Sequence, residues 1–376
     1  MNWTYNEIEQ DWLGGSRLAM RTQAVVEAFN RADSVLGREW INSFHIGTNG
    51  VVYRGSSPTL DVVTVGQQVA ALEGVLHAEE LIEDLRKNRD YDYAVLTAIY
   101  LIRDHHPHTN MELYPRVAIG SSERKADFRV RQHNDIWTYV EVTQPDFSEA
   151  YNRANSLLQH IASLVTDIKK SFALEVFLRR EPTNLETEKL TARVADFCEL
   201  EGIQKEDLPG DLGSLLLGTC DPNNIVLQNH AGEDKSSRIG TAKVISGHNE
   251  PPRHIVVRMA FADDRAEDIL RKEARQLPKD TPGLVMAQMS RAPGGIISWE
   301  PVVLRRFQPT QHTRVSAVCL FFPATQWTDQ GEAWLPMTKL LVNPHRNFSL
   351  PTWMADALRN TRAKFLADLA AKESSA

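Results

Sequence analysis

The stretch from Tyr91 to Thr143 constrains the fold of this chain more than any other. It begins with a run that is apolar on all sides, Tyr91 to Arg103 (YDYAVLTAIYLIR). A helix without a polar face must be enclosed by other elements. Three strand-like segments follow. Met111 to Ile119 is the first; Lys125 to Arg131 (KADFRVR) alternates, and Ile136 to Thr143 (IWTYVEVT) is rich in β-branched and aromatic residues. Between the last two lies Gln132-His133-Asn134-Asp135, a run suited to a hairpin turn. An enclosed helix followed by hairpinned strands calls for a sheet with helices packed on it.

The flanking sequence extends this pattern. Ser16 to Leu36 has apolar residues at helical spacing and a plausible stop at Gly37, Gly47 to Ser57 reads as a connector, and Thr64 to Lys87 reads as helical. Beyond the hairpin, Ser148 to Lys170 predicts an amphipathic helix and Phe172 to Arg179 a strand. Glu181 to Gly218 reads as mostly helical, and Asp221 to Asn249, with its Asn, Gly and Ser residues, as an irregular insertion. His254 to Ala260, Leu284 to Met289 and Val315 to Phe322 read as strands. Asp263 to Leu277 and Thr352 to Lys372 read as helices, the former with the acidic start and basic end that suit its dipole. The expectation is an α/β chain: a helical N-terminal extension over 1–78, a core over 79–180 and an α/β C-terminal part over 181–376 that completes the same sheet or forms a second domain.

Composition narrows the function classes. Net charge is −7, which argues against coating nucleic acid by bulk charge but leaves room for a local basic groove. Hydrophobic residues make up 42%, enough to fill a core, yet no apolar run reaches the roughly 18 residues that span a bilayer. The polar, acidic start MNWTYNEIEQDW lacks the features of a signal peptide. Cys198, Cys220 and Cys319 are scattered and odd in number, so buried free thiols in a reducing compartment are expected. Together these features predict a cytoplasmic protein without a membrane partner.

The chemistry concentrates on Asp127 and Glu141. Strand alternation puts Asp127, Arg129 and Arg131 on one face, and Tyr139, Glu141 and Thr143 on one face of the next strand. Hairpin pairing brings the two carboxylates to one end of a sheet. Converging carboxylates repel unless a cation neutralises them or one holds a proton. Mg²⁺ or Mn²⁺ suits such oxygen ligands.

This arrangement resembles the PD-(D/E)xK nuclease superfamily, the restriction-endonuclease-like fold, over about a quarter to a third of the chain. The family has a helix, a three-stranded meander, then a helix and a further strand, with Asp on the second strand and Glu-x-Lys on the third. The resemblance implies a mixed sheet flanked by helices, with Asp127 and Glu141 as metal ligands. Ser148 to Lys170 and Phe172 to Arg179 would fill the last two slots. Asp92 would be the acidic residue of the leading helix, with Glu83 or Glu79 in reserve. The implied activity is Mg²⁺-dependent hydrolysis of DNA, with Arg116, Arg124, Arg129 and Arg131 as phosphate contacts.

One residue departs from the family. Thr143 stands where its lysine belongs, and Thr supplies no positive charge to an anionic transition state. Three explanations stay open: a lysine from elsewhere (Lys125, Lys169 or Lys272), Gln144 orienting water without charge, or a degenerate site that serves binding or assembly. Lys125, two residues before Asp127, is the simplest substitute. Lys272 and Gln276 share a helix face at i and i+4. The cluster Arg103, Asp104, His105, His106 and His108 is poor zinc geometry and reads as a helix terminus.

Overall fold

The computed structural model describes residues 2–14, 17–45, 57–87, 90–119, 122–146, 148–221, 224–226, 238–247, 250–261, 265–291 and 295–359. In chain order, α1 spans Tyr5–Ile8, α2 Thr22–Leu36, α3 Arg38–His45, α4 Pro58–Gln68, α5 Ala78–Arg86 and α6 Asp90–Arg103. Strands β1 (Asn110–Leu113), β2 (Arg116–Ile119), β3 (Ser122–Lys125), β4 (Phe128–Arg131) and β5 (Thr138–Thr143) follow. Then come α7 (Glu149–Leu164), β6 (Phe172–Leu178), α8 (Asn184–Cys198), β7 (Gln204–Leu208), β8 (Gly213–Asp221), β9 (Asn224–Val226), β10 (Arg238–Gly247) and β11 (Glu250–Ala260). The chain closes with α9 (Arg265–Ala274), β12 (Gly283–Gln288), α10 (Gly295–Arg306), β13 (Ala317–Thr328) and β14 (Gly331–Val342). The protein is α/β with mixed sheets. Among the described residues no helix is long and apolar enough to cross a membrane.

The chain divides into two compact units, Met1–Pro145 with Glu267–Ala292 and Val303–Ala376, and Asp146–Ala266 with Pro293–Val302. The expected partition at 78 and 180 follows neither: residues 1–78 share a unit with the hairpin strands, and residues 146–180 do not.

The sheet of the first unit runs β1-β4-β5-β12-β13-β14. β4 pairs antiparallel with β1 and β5, while β12 lies parallel to both β5 and β13. Alternation sends Phe128, Val130, Val140, Val142, Leu284 and Met286 to one face, where they join Phe29, Leu60, Val63 and Leu96 in one core. Gly66 is required where α4 crosses α2, because a Cβ there would stand 2.1 Å from the carbonyl oxygen of Ala28. Helix α6 is enclosed as its apolar girth demands, with Ala94, Val95, Leu96, Ile99 and Ile102 all at 0% exposure.

Several expected elements break or change. Met111 to Ile119 splits at Tyr114, whose φ of 53° no strand tolerates, into β1 and β2. Lys125 to Arg131 splits at Ala126-Asp127, and β3 leaves the main sheet to pair with β2. Thr64 to Lys87 is interrupted before α5 by His77 at φ 65°. Glu181 to Gly218 is helical only in α8. Its Leu215-Leu216-Leu217 run is a strand buried on both faces, which periodicity cannot tell from a buried helix. Within Asp221 to Asn249, β9 and β10 are regular. Residues 227–237, most of the Gly47 to Ser57 connector and the end of the Thr352 to Lys372 helix lie outside the described residues.

The second unit has a sheet ordered β10-β11-β6-β8-β7. Leu174, Val176, Leu215 and Val257 meet Leu158 and Ile161 of α7 and Val194 and Phe197 of α8 in a separate core. So α7 and β6, expected to fill the last two slots of the nuclease-like core, belong to another sheet. Cys198, Cys220 and Cys319 are buried free thiols, as composition predicts.

Candidate active site

Asp127 sits in the two-residue break between β3 and β4. There its backbone carbonyl accepts from the N–H of Tyr114 at 2.9 Å. Leaving the strand frees its side chain to reach across the hairpin. Oδ2 accepts from the backbone N–H of Val142 at 2.6 Å, and Oδ1 from the Tyr91 hydroxyl at 2.6 Å. Tyr91 stands in the first turn of α6 and also reaches the carbonyl of Val142 at 3.2 Å. The two Asp127 carboxylate oxygens are therefore held by groups on two different elements, α6 and β5.

Glu141 occupies the middle of β5, opposite Val285 of β12 and on the sheet face away from the apolar core. It is 2% exposed, and Asp127 is the neighbour whose charge acts on it most. Its Oε1 is buried without a hydrogen-bond partner. The third carboxylate comes from α9. Glu273 is 3% exposed, with Lys272 Nζ 3.2 Å from Oε1 and Gln276 Nε2 donating to Oε2 at 2.5 Å.

Electrostatics follows from this crowding. Burial, and then the charges of Asp127 and Glu273, push Glu141 up to about 10, against which Lys272 pulls only weakly. Burial pushes Asp127 up to about 6, although Tyr91 and the Val142 N–H favour its charged form. Near neutral pH the two carboxyl groups share one proton. Burial and the charge of Asp127 likewise keep the Tyr91 hydroxyl protonated.

The other residues named from sequence are placed unequally. Asp92 is 5% exposed, and its charge, like that of Asp127, acts on the Tyr114 hydroxyl, whose pKa is raised mainly by burial. It lies at the margin of the site, and its neighbour Tyr91 makes the contact to Asp127. Lys125 ends β3, and Asp127 lies in the break that follows it. Its Nζ lies 3.8 Å from Glu80 and 5.8 Å from the centroid of the Tyr114 ring, so the shared strand face that recommended it does not exist. Lys272 is the lysine whose charge reaches Glu141. Lys169 pairs with Glu250 in the second unit. Thr143 is buried at 8% in β5. Arg129 is bound to Glu112 and Arg116 to Glu123. His106 is held by the carbonyl of Trp353 at 3.2 Å and by Gln132, in keeping with a helix terminus.

Tyr91 and Glu273 were missed. Glu273 had a signal, since it precedes Gln276 by three residues on one helix face. Tyr91 had none beyond its place at the start of an enclosed helix.

The fit to a divalent cation can be tested on these atoms. Mg²⁺ takes one or two carboxylates and keeps several waters. Asp127 and Glu141 supply two, and the bare Oε1 of Glu141 is a buried acceptor without a donor. Among the described residues no three His, Cys, Asp or Glu side chains form a ready ligand set, so Glu273 is not counted as a ligand. The pair fits a water-rich, oxygen-liking cation and not a zinc-type cage.

No protein-family model, curated protein or solved structure matches this chain.

Proposed function

We propose that this chain hydrolyses phosphodiester bonds of DNA with Mg²⁺ or Mn²⁺ held by Asp127 and Glu141. One observation carries the reading. Glu141 is 2% exposed and lies close enough to the half-buried Asp127 for that carboxylate's charge to hold its pKa up, with no ion-pair partner for either among the described residues. A purely structural buried carboxylate is neutralised by a bound cation of the protein or held by hydrogen-bond donors alone, as Glu332 is by the N–H and hydroxyl of Ser57. A pair neutralised by a proton is ready to exchange it for a metal ion.

The order of elements supports the resemblance to the PD-(D/E)xK nucleases. Helix α6 leads, β1, β4 and β5 form the antiparallel meander, and β12 lies parallel to β5 after α9. In this reading the β2–β3 hairpin and the whole second unit are insertions in the chain.

When bound, the cation would supply Lewis acidity and a water of lowered pKa. The rest falls to the protein. Tyr91 and the Val142 N–H position Asp127, and Glu141 is deprotonated in the loaded site. Lys272 supplies the positive charge that Thr143 lacks, and is better placed for this than Lys125. Glu273 and Gln276 tie that lysine to the site. Asp92 remains the acidic residue of the leading helix.

Thr143 favours a second reading, a catalytically degenerate nuclease-fold protein acting as a binding or assembly module. Incubation with labelled single- and double-stranded DNA in Mg²⁺ or Mn²⁺ decides between them. Cation-dependent cleavage that EDTA stops is expected. Its absence on every substrate, with no calorimetric cation binding that depends on Glu141, would leave the module.

A further inference from the structure

Helix α9 carries Lys272 and Glu273 at the carboxylate site, with Gln276 in the turn that follows it, and it presents a different face to a cavity of about 440 Å³. Glu267, Arg271, Ala274 and Arg275 line that cavity from α9 and its continuation. These positions, spaced four, three and one apart, lie on one helical face. Arg306, His312 and Arg314 complete the wall, so four guanidinium groups face one carboxylate. All of these residues belong to the first unit.

We propose that this cavity is a phosphate-binding subsite that takes the backbone of a polynucleotide strand. The inference rests on the phosphodiesterase reading of the carboxylate site and names where its substrate is held. Three observations carry it.

The arginines are not consumed by the fold. Arg306 pairs with Glu267, Arg271 with the exposed Asp268, and Arg314 donates to the carbonyl of Leu277 at 3.2 Å. Arg275, exposed at the rim, has no partner among the described residues. Each guanidinium carries five donors, so even the paired ones keep N–H groups for a ligand. The cavity is also electropositive enough to be felt by a titrating neighbour. His312, held at φ 55°, is kept from protonation first by burial and then by the charges of Arg306 and Arg271. An anion would relieve that field.

Planar guanidinium forks converging on one space match phosphate oxygens bidentately. The location then selects the source. The two sites share a helix whose diameter with side chains is about 10–12 Å. At 3.4 Å per nucleotide that is about three steps along a strand. A strand cleaved at Asp127 and Glu141 would lay a flanking phosphate here.

The test is fluorescence anisotropy of a labelled single-stranded oligodeoxynucleotide, in EDTA, over a salt series. The double variant Arg271→Ala/Arg275→Ala removes two exposed side chains. It is expected to weaken binding about tenfold or more, and to lower the slope of log affinity against log salt by about 1.4, or 0.7 per lost contact. In NMR, the His312 imidazole, assigned with His312→Gln, should titrate at higher pH once the oligonucleotide is bound. Unchanged affinity and slope in the double variant would overturn the proposal, as would wild-type protein that binds no oligonucleotide. Pyrophosphate that shifts His312 while an oligonucleotide does not would overturn the polynucleotide source. Arginine-dependent binding without any cleavage would uphold the subsite and sink the phosphodiesterase.

Discussion

Each unit buries a glutamate in a central strand, and the two are treated in opposite ways. In the second unit Glu175 of β6, 5% exposed, forms an ion pair with Arg258 of the adjacent parallel strand β11. In the first unit Glu141 of β5, 2% exposed, meets Asp127 and feels Glu273. Glu175 is neutralised within the protein, and its charge is part of how that sheet is held. Glu141 is neutralised by a proton from solution, so its environment invites exchange with another cation. Burial alone does not tell the two glutamates apart; the sign of the nearest charge does.

The largest effect that would sharpen this contrast is on cleavage. Asp127→Asn and Glu141→Gln should each lower cation-dependent cleavage by roughly three orders of magnitude, since each removes one of two anionic ligands. Far-UV circular dichroism should show the fold retained. Cleavage surviving Asp127→Asn would put the chemistry elsewhere.

Next in size is the pH dependence of stability. Glu141 has a folded pKa of about 10 against an ordinary value near 4.5, so the folded state binds more protons than the unfolded one between these limits. Stability is then fully present below the lower value and falls as pH rises, by up to about 1.4 kcal/mol per pH unit for one proton. Urea denaturation at pH 6 and 8 without divalent cations should show this loss, and Glu141→Gln should flatten it. A wild-type curve that climbs over this range would mean Glu141 is ionised in the folded protein.

Stability of the second unit gives a smaller number of the opposite kind. Glu175→Gln should cost about 2 kcal/mol by leaving Arg258 without its partner, less than for a fully buried pair because Arg258 is 38% exposed and regains water. Glu141→Gln, by contrast, should cost nothing or stabilise at pH 8, because it removes the cost of protonating Glu141 on folding. Equal destabilisation by the two would erase the distinction drawn here.

The smallest expected effect separates two lysines. Lys272→Ala should slow cleavage about tenfold, discounted from a buried oxyanion donor because its side chain is 74% exposed. Lys125→Ala should leave it unchanged. The reverse result would return the transition-state charge to β3.

Parts of this site were legible in the sequence because their signals are local. The alternation of KADFRVR and IWTYVEVT and the turn between them place β4 beside β5, so Asp127 and Glu141 could be named as a pair. Lys272 was visible on a helix, but the face it was expected to share with Gln276 is cut short because α9 ends at Ala274. That Lys125 shares no strand with Asp127 was not legible. The same alternating run that suggested one strand is cut at Ala126-Asp127, where pairing of Tyr114 with the Asp127 carbonyl and of β3 with β2 overrides local propensity.

By itself the sequence determined the α/β class, the enclosed helix α6, the hairpin and the presence of two carboxylates on it, because periods of 3.6 and 2.0 residues are written in neighbouring positions. Tertiary structure alone decided that β12 and not β6 lies beside β5, that α9 brings Glu273 to Glu141, and that Arg271, Arg275, Arg306 and Arg314 meet around one cavity. Strand partners are chosen by which two-sided apolar surfaces can be buried together. The entropy of closing a loop grows only with the logarithm of its length. A whole second unit can therefore stand between β5 and its partner at little cost, and no local pattern marks where the chain returns.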